Sequence, residues 1–203
     1  MKGLFRTSFT TNPLVEVHGD EFHHMKNVFR LKEQDEVCLL DGKGYFSIGT
    51  IQSIEKQRIV ITYTEIVFQE KKQHKKIILC PPKKEYFKEC IKNFVQLGFS
   101  KVYLYKSQYS QYEFFDWGKF IKLSMEQSLN PYYLEIEELD CLPESLTLVT
   151  NQKNGQYLPT EYYLIGPEGG FSSSELEVKS ILHLPTCILT TSNAVTFLTG
   201  YLS

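Results

Sequence analysis

The 203-residue sequence predicts an α/β fold in two domains, a β-rich, barrel-like domain over residues 1–70 and a parallel α/β domain over residues 71–203. Two observations predict this division. Short runs rich in β-branched and aromatic residues fill the first third of the chain, whereas apolar runs alternate with segments of helical periodicity in the remainder. A wholly polar stretch, residues 69–76, separates the two patterns.

In the first domain, the pattern predicts one short helix and three strands. Phe22, Met25 and Phe29 recur at helical spacing, and Asp20 is placed to cap the start of that helix. The glycines of residues 41–44, Asp-Gly-Lys-Gly, predict a turn because glycine adopts positive φ without steric cost. The three strands are predicted at residues 36–40, 45–54 and 58–67.

The second domain opens with a βαβ pattern. Residues 77–80 form a continuous apolar run that is typical of a buried parallel strand. Apolar residues then recur at helical spacing over 86–95, Gly98 follows as a helix stop, and residues 102–105 form the next strand. A βαβ unit predicts a parallel sheet covered by helices.

The remaining elements are predicted from the same patterns. Residues 172–175, Ser-Ser-Ser-Glu, fit a capping box that begins a helix running to about Leu182. Two other helices are predicted at 115–127 and 194–202, and three further strands at 146–149, 162–165 and 187–189.

Composition excludes several classes of protein. With 42% hydrophobic and 23% charged residues, the chain is not disordered. It has no run of 18 apolar residues and no apolar stretch of signal-peptide length at its start, so neither a transmembrane helix nor a signal peptide is expected. Its five cysteines are scattered without a C-x-x-C pair, which argues against a zinc site and a disulfide framework and favours a reducing, cytoplasmic compartment.

The net charge of −2 does not by itself indicate a nucleic-acid binder. Residues 1–76 nevertheless hold 12 Lys and Arg against 10 Asp and Glu. The strongest basic cluster is either a solvated linker or a surface that faces phosphates, and it consists of Lys71, Lys72, Lys75, Lys76, Lys83 and Lys84.

The stretch Leu164–Phe171, LIGPEGGF, is the most informative part of the sequence. An apolar strand runs into a turn that holds three glycines, one proline and one carboxylate. Glycines let a ligand approach the backbone closely, and ligands of α/β sheets bind at the carboxyl ends of strands. Backbone groups freed in such a turn can bind the edge of an adenine or the ends of an amino acid, although an ordinary tight turn has the same composition.

Five ordered motifs resemble those of one family. The sequence GPEGGFSSSELE resembles the signature G-P-E-G-G-(F/W)-S-x-x-E of the 16S ribosomal RNA uracil-N3 methyltransferase family, called methyltransferase E, within the SPOUT superfamily. The other similar segments follow the family order over nearly the whole chain: HHMKNVFRLK at 23–32, LLDGKG at 39–44, Pro82-Lys83 with Gln96-Leu97-Gly98, and Glu126-Gln127-Ser128.

The resemblance implies a fold and an activity. The first domain would be a PUA-like β-barrel that helps to hold RNA, and the second a SPOUT α/β domain with a deep trefoil knot. The protein would be a homodimer that uses S-adenosylmethionine and no metal to methylate N3 of a uridine in 16S ribosomal RNA, free or in the 30S subunit. The dimer interface would include the helix 194–202.

The resemblance also implies site residues. Glu168, the only acid in the glycine turn, could hold the cofactor, accept the uracil N3 proton or fix the loop, and it is the candidate catalytic residue. The candidate RNA contacts are Arg6, Arg30, Lys32 and Lys83. The cofactor-binding residues that it implies are Leu164, Ile165, Gly166, Pro167, Glu168, Gly169, Gly170, Ile188, Leu189, Thr190, Thr191, Asn193 and Ala194.

Several charged positions of the family pattern are neutral in this chain. Where the family has L-G-x-R-I-L-R-T-E-T-A, residues 184–194 read LPTCILTTSNA, and Tyr109 and Asn130 stand at two further arginine positions. Neither residue type reproduces the fork of an arginine. These losses favour an alternative, a weakened family member that binds cofactor or RNA without efficient turnover. A metabolic α/β enzyme is a third reading, but it leaves the first domain and the basic linker unexplained.

Overall fold

The computed structural model describes the chain apart from residues 6–8, 10–11, 73–74, 112, 114, 152–154, 178–179, 185 and 203 and the side chain of Leu202. The chain divides into two compact units, one of residues 1–71 with 122–133 and the other of residues 72–121 with 134–203. The segment 122–133, which the sequence analysis counted with the second domain, thus falls in the first unit. Domain limits at 1–70 and 71–203 stay a prediction.

A six-stranded sheet forms most of the first unit. The six strands are β1 (Lys2–Phe5), β2 (Leu14–His18), β3 (Glu36–Leu40), β4 (Tyr45–Ile54), β5 (Arg58–Tyr63) and β6 (Val67–Phe68). They run in the order β1-β3-β4-β5-β2, with β6 beside β4; the β1–β3 pair is parallel and the other described pairs are antiparallel. The predicted strands at 36–40 and 45–54 are confirmed, whereas the one at 58–67 is split in two.

The predicted turn between β3 and β4 is confirmed, and a buried carboxylate fixes it. Asp41 Oδ1 accepts hydrogen bonds from the backbone N–H groups of Lys43 at 2.7 Å and Tyr45 at 3.0 Å. Gly42 and Gly44 have φ of +80° and +105°, a region that favours glycine.

The single helix predicted near residue 22 is present but irregular. Helix α1 (Gly19–His23) continues into a π-helical turn, His24–Val28. Phe22 and Met25 are buried in the core of this unit, as the spacing predicts. The capping role predicted for Asp20 is wrong, because the helix begins after His18 without a side-chain cap and Asp20 lies inside its first turn.

The second unit is built on a six-stranded sheet that is parallel throughout, in the order β12-β10-β11-β7-β8-β9. Strands buried on both faces read as continuous apolar runs, which is why the strands at 77–80, 146–149 and 162–165 were predictable. The strand Glu135–Leu139 is largely exposed and rich in glutamate, so it was not predicted. Its strands are β7 (Lys76–Leu79), β8 (Lys101–Tyr105), β9 (Glu135–Leu139), β10 (Leu146–Thr150), β11 (Tyr162–Ile165) and β12 (Ser180–His183).

Three longer helices accompany the sheets: α2 (Lys84–Gln96), α3 (Trp117–Ser128) and α4 (Thr191–Leu202). Helix α2 buries the residues that predicted it, among them Phe87, Ile91 and Phe94, and it packs against α4. Helix α3 divides between the two units at residue 121. Helix α4 begins at Thr191, three residues before the predicted start.

Two predicted elements are wrong. The expected helix from Ser172 to Leu182 is only a turn at 173–176, and β12 occupies residues 180–183. The expected strand at 187–189 is absent, because Cys187 and Ile188 are exposed and no neighbouring strand pairs with them among the described residues. The apolar segment 180–183, which precedes residues 187–189 in the chain, pairs with β10 instead.

Candidate functional site

The carboxyl ends of three neighbouring strands in the second unit line a cleft. They belong to β12, β10 and β11, so the cleft lies where ligands of parallel sheets bind. The volume of the cleft is about 70 Å³. Its walls are Val149, Thr150, Asn151, Ile165, Gly166, Pro167, Glu168, Gly170, Phe171, Leu184, Thr186, Ile188, Leu189, Thr191 and Ala194.

The turn after β11, residues 166–170, forms one side of this cleft and depends on its glycines. A β-carbon on Gly166 would lie 2.8 Å from the ring of Phe171, so a larger residue would displace that ring. Gly170 has a φ of +72°, and its N–H donates to the carbonyl of Pro167 at 2.9 Å. The turn is therefore compact and closely packed against the chain that follows.

The start of α4 forms the opposite side, and two threonines fix it. Thr190 caps the helix, since its hydroxyl accepts from the N–H of Asn193 at 3.3 Å and its carbonyl accepts from the N–H of Ala194 at 2.9 Å. The hydroxyl of Thr191 donates to the carbonyl of Gly166 at 3.1 Å. This bond ties the first turn of α4 to the glycine turn across the cleft.

Helix α2 supports the same end of α4. Ser192 donates its hydroxyl to Glu89 Oε2 at 3.0 Å, and the side-chain amide of Asn93 donates to the carbonyl of Ser192 at 3.2 Å. Ser192 stands where the family pattern has a glutamate, so an uncharged side chain at this position donates to the carboxylate of Glu89.

Glu175 joins the glycine turn to the loop that follows β8. Its carboxylate accepts from the N–H and the hydroxyl of Ser172, both at 2.8 Å, and from the N–H of Gln108 at 3.1 Å. Burial acts to raise the pKa of Glu175, but these three hydrogen bonds outweigh it and hold the pKa below the ordinary value. The capping-box bonds predicted from the sequence therefore form without the helix.

Glu168 is the one charged side chain among the described residues that line the cleft. Its side chain is exposed, and no hydrogen bond or ion pair is found for its carboxylate within the part of the chain that the structure describes. Cys90 of α2 is fully buried, and burial, together with the nearby charges of Glu168 and Glu89, raises the pKa of its thiol. The thiol of Cys90 is therefore uncharged and serves in packing. The carboxylate of Glu168, by contrast, is available to a ligand in the cleft.

The hydroxyl of Thr186 is the buried polar group of the cleft that lacks a partner. Across the described residues, its Oγ1 is the one buried side-chain nitrogen or oxygen atom without a hydrogen bond. Such a group is costly to leave unpaired, and a polar ligand in the cleft would satisfy it.

Nine of the thirteen residues implied as cofactor contacts line the cleft, and four lie elsewhere. Leu164 is buried in the core beneath the turn, and Gly169 packs against Tyr109. Thr190 caps α4, and Asn193 is exposed on its first turn. The nine are Ile165, Gly166, Pro167, Glu168, Gly170, Ile188, Leu189, Thr191 and Ala194.

Six further residues that line the cleft were not predicted from the sequence, namely Val149, Thr150, Asn151, Phe171, Leu184 and Thr186. A signal was present for the first three, because they lie at the carboxyl end of a predicted parallel strand, where ligands bind. Leu184 and Thr186 could not be found in this way, since the strand before them was predicted as a helix.

The candidate RNA contacts are exposed where the structure describes them. Arg30, with a φ of +53°, and Lys32 follow the π-helical turn of the first unit, and Lys32 donates its N–H to Asp35 Oδ2 at 2.7 Å. Lys83 directly precedes α2 in the second unit. Arg6 lies outside the described residues. In the basic cluster, Lys76 is engaged in an ion pair with Glu161 at 2.7 Å.

In the part of the chain that the structure describes, neither a metal site nor a membrane span is found. Within the described ranges, no group of three or more His, Cys, Asp or Glu side chains is placed to hold a metal ion. None of the helices described here is long and apolar enough to cross a membrane.

Two family profiles match the sequence. A profile described as the RNA methyltransferase PUA domain matches residues 17–62, and one described as the RNA methyltransferase domain matches residues 69–203. The second match covers about two thirds of the chain. No curated protein matches the sequence at a significant level.

Solved structures share the fold over almost the full chain. Ribosomal RNA small subunit methyltransferase E from Neisseria gonorrhoeae, bound to S-adenosylmethionine, is 19% identical, with a TM-score of 0.80 and coverage of 99% of this chain and 96% of that one. A protein from Legionella pneumophila, assigned as a methyltransferase and solved with S-adenosylmethionine, is 18% identical, with a TM-score of 0.79 over 98% and 96%. A Thermotoga maritima protein, assigned as an RNA methyltransferase, is 24% identical, with a TM-score of 0.74 over 100% and 97%. The expected architecture, a PUA-like unit followed by a parallel α/β unit, is confirmed.

Proposed function

Because this chain belongs to the RNA methyltransferase family, we propose that it transfers a methyl group from S-adenosylmethionine to N3 of a uridine in 16S ribosomal RNA. The observation that carries the proposal is the glycine turn, residues 166–170, which lines a cleft at the carboxyl ends of β10, β11 and β12. The five motifs of methyltransferase E support the choice of base and RNA. Two proteins of the same fold with this cofactor bound support its identity.

The residues of the cleft fit a nucleoside cofactor with an amino-acid tail. The unpaired hydroxyl of Thr186 offers one polar contact, and the glycine turn brings backbone groups within reach of a ligand. Leu184, Ile188 and Leu189 offer apolar surface to an adenine ring. The volume of the cleft is about 70 Å³, so the whole cofactor fits only when side chains that line the cleft move, and Ile188 among them is 89% exposed.

S-adenosylmethionine supplies an electrophilic methyl group when it is bound. The tasks left to the chain are to align the uracil nitrogen with that group and to manage its proton. The N3–H of uracil is a weak acid, so N3 becomes a good nucleophile only when the proton leaves or the anion is stabilised. We assign proton acceptance to Glu168, the charged side chain that lines the cleft.

The proposal includes further assignments that the resemblance implies. Arg6, Arg30, Lys32 and Lys83 contact RNA, the division at residue 70 separates RNA-holding from catalytic functions, and the second domain carries the deep trefoil knot. The enzyme works in the cytoplasm as a homodimer. Support for the dimer comes from α4, where the rings of Phe197 and Tyr201 are 37% and 55% exposed and stack at 6.4 Å.

The second candidate function is that of a weakened family member, which binds cofactor or RNA without efficient turnover. The observation that favours it is the neutral character of the segment before and at the start of α4. Thr190 caps α4, Ser192 donates to the carboxylate of Glu89, and Cys187 is exposed, where the family pattern has charged residues. Methyl transfer from labelled S-adenosylmethionine to small subunits in vitro would rule this candidate out.

Mass spectrometry of 16S ribosomal RNA tests the proposed function. In a strain that lacks the protein, 3-methyluridine is expected to disappear and to return when the wild-type chain is supplied. A chain with Glu168→Ala is expected not to restore it. An unchanged 3-methyluridine content in the strain without the protein would contradict the proposal.

A further inference from the structure

An exposed tyrosine lies against the glycine turn, outside the cleft itself. Tyr109 is 43% exposed, and it belongs to the loop that follows β8. A β-carbon on Gly169 would lie 3.0 Å from Cβ of Tyr109, so the absence of a side chain at Gly169 allows this close approach. The neighbours of Gly169 in the chain, Glu168 and Gly170, both line the cleft. The tyrosine is therefore next to the turn that carries the proposed proton acceptor.

Several hydrogen bonds fix the backbone on both sides of Tyr109. The N–H of Gln108 donates to Glu175 Oε1 at 3.1 Å, which ties the loop to the chain after the glycine turn. The N–H of Ser107 donates to the hydroxyl of Ser110 at 3.0 Å, and the N–H of Gln111 donates to the carbonyl of Pro81 at 3.1 Å. The backbone at Tyr109 is therefore held in place, while its side chain stays exposed.

The loop that carries Tyr109 also borders open space. A second cleft, of about 460 Å³, is found at the carboxyl ends of β7, β8 and β9, and Pro81, Tyr105 and Lys106 line part of it. Both clefts open at the same edge of the sheet, because all six strands are parallel. The loop 106–111 leaves the end of β8 at the second cleft, brings Tyr109 beside Gly169 and then returns to Pro81 through the N–H of Gln111, so it borders the second cleft and contacts the glycine turn.

We propose that Tyr109 is the stacking platform for the pyrimidine base that is presented to the cofactor cleft. The inference rests on the proposed function, and it adds a residue that positions the base. Bases splayed out of RNA stack on aromatic rings or on the plane of an arginine guanidinium. Tyr109 stands where the family pattern has arginine, so the aromatic ring keeps a flat surface at this position while the charge is lost.

Kinetics of variants at this position test the proposal on the whole enzyme. Tyr109→Leu is expected to lower kcat/KM for methylation of small subunits about tenfold or more, since it removes the stack. Tyr109→Phe, which keeps the ring, is the matched control and is expected to stay within about twofold of wild type. Calorimetry is expected to give the same S-adenosylmethionine affinity for all three proteins. Full methylation activity of the Tyr109→Leu variant would overturn the proposal.

Photocrosslinking tests the contact independently of turnover. A 16S RNA transcript that contains 4-thiouridine is irradiated with the protein, and the crosslinked peptides are identified by mass spectrometry. A crosslink on the peptide that carries Tyr109 is expected, even if the wild-type chain proves unable to transfer a methyl group. Crosslinks that map only to other peptides would overturn the inference, while methyl transfer by the wild type would leave the proposed function standing.

Discussion

Glu175 illustrates how one carboxylate can organise two loops at the residue scale. It accepts three hydrogen bonds, two from Ser172 and one from Gln108, so the segment after the glycine turn and the loop of Tyr109 share one anchor. The sequence indicated the bonds to Ser172 through the capping-box spacing. The bond to Gln108 joins residues 67 positions apart, and no local pattern could reveal it.

The lowered pKa of Glu175 predicts a pH dependence of stability. Because the folded-state pKa lies below the ordinary value, the carboxylate stabilises the protein above that value and loses this contribution as the pH falls through the folded-state pKa. Urea unfolding of wild type and Glu175→Gln between about pH 7 and pH 3 measures the effect. The variant is expected to be less stable at neutral pH, and the difference is expected to shrink in acid. A stability difference between the two proteins that grows as the pH falls would contradict the anchoring role of Glu175.

Glu168 differs from Glu175 because no partner in the described part of the chain engages its carboxylate. If it accepts the N3 proton, Glu168→Gln is expected to lower kcat by roughly 10²-fold or more and to leave the affinity for S-adenosylmethionine unchanged. Glu177→Gln, at another exposed acid of the same segment, is the matched control and is expected to keep wild-type activity. Single-turnover methylation of small subunits is the measurement, and equal rates for the two variants would contradict the role of Glu168.

At the scale of elements, prediction from the sequence succeeded where burial set the pattern. The strands β3, β4 and β11 have the predicted bounds, since β-rich or apolar runs between turn signals leave few alternatives. It failed between residues 172 and 190. There the capping box forms, but Ile181 and Leu182 are buried in the strand β12 beside β10, so sheet pairing prevails over the local helix signal. Because β12 was not predicted, the cleft residues that follow it, Leu184 and Thr186, were not predicted either.

Two glycines in different elements allow a matched test of packing. Gly3 of β1 faces α3 so closely that a β-carbon would lie 2.6 Å from Cα of Glu126, in the backbone of the helix. Gly3→Ala is therefore expected to destabilise the protein by about 1–3 kcal/mol. Gly200 of α4 has open space at the same position, so Gly200→Ala is expected to stabilise it by up to about 1 kcal/mol.

Denaturant unfolding of the two alanine variants and the wild type measures both changes. Opposite signs are the expected result. If Gly3→Ala left the free energy of unfolding unchanged, β1 and α3 would not pack through their backbones.

At the scale of the whole molecule, composition did not reveal the activity. A net charge of −2 conceals the basic linker, and ion pairs such as Lys76 with Glu161 engage part of it. The cleft is assembled from the ends of three strands and the start of α4, which lie up to about 40 residues apart in the chain. The family motifs located the glycine turn, whereas the pairing of β12 with β10 could be learned only from the fold.

The proposed dimer makes a prediction at this scale. Light scattering of the wild type at micromolar concentration is expected to give twice the mass of one chain. Phe197→Glu places a charge on the exposed aromatic face of α4, and it is expected to shift the protein toward monomer with little change in thermal stability. Leu123→Glu, at an exposed apolar position on α3, is the control and is expected to leave the mass unchanged. A wild type that is wholly monomeric would contradict the dimer.

Binding of S-adenosylmethionine to the cleft is the claim on which the proposed function rests. Calorimetric titration of the purified protein tests it most directly, with Ala194→Phe as the comparison because its ring would fill the cleft beside the glycine turn. Binding by the wild type with a dissociation constant in the micromolar range, abolished in a folded Ala194→Phe variant, is the predicted result. Absence of binding at millimolar cofactor, or equal binding by the two proteins, would contradict the account.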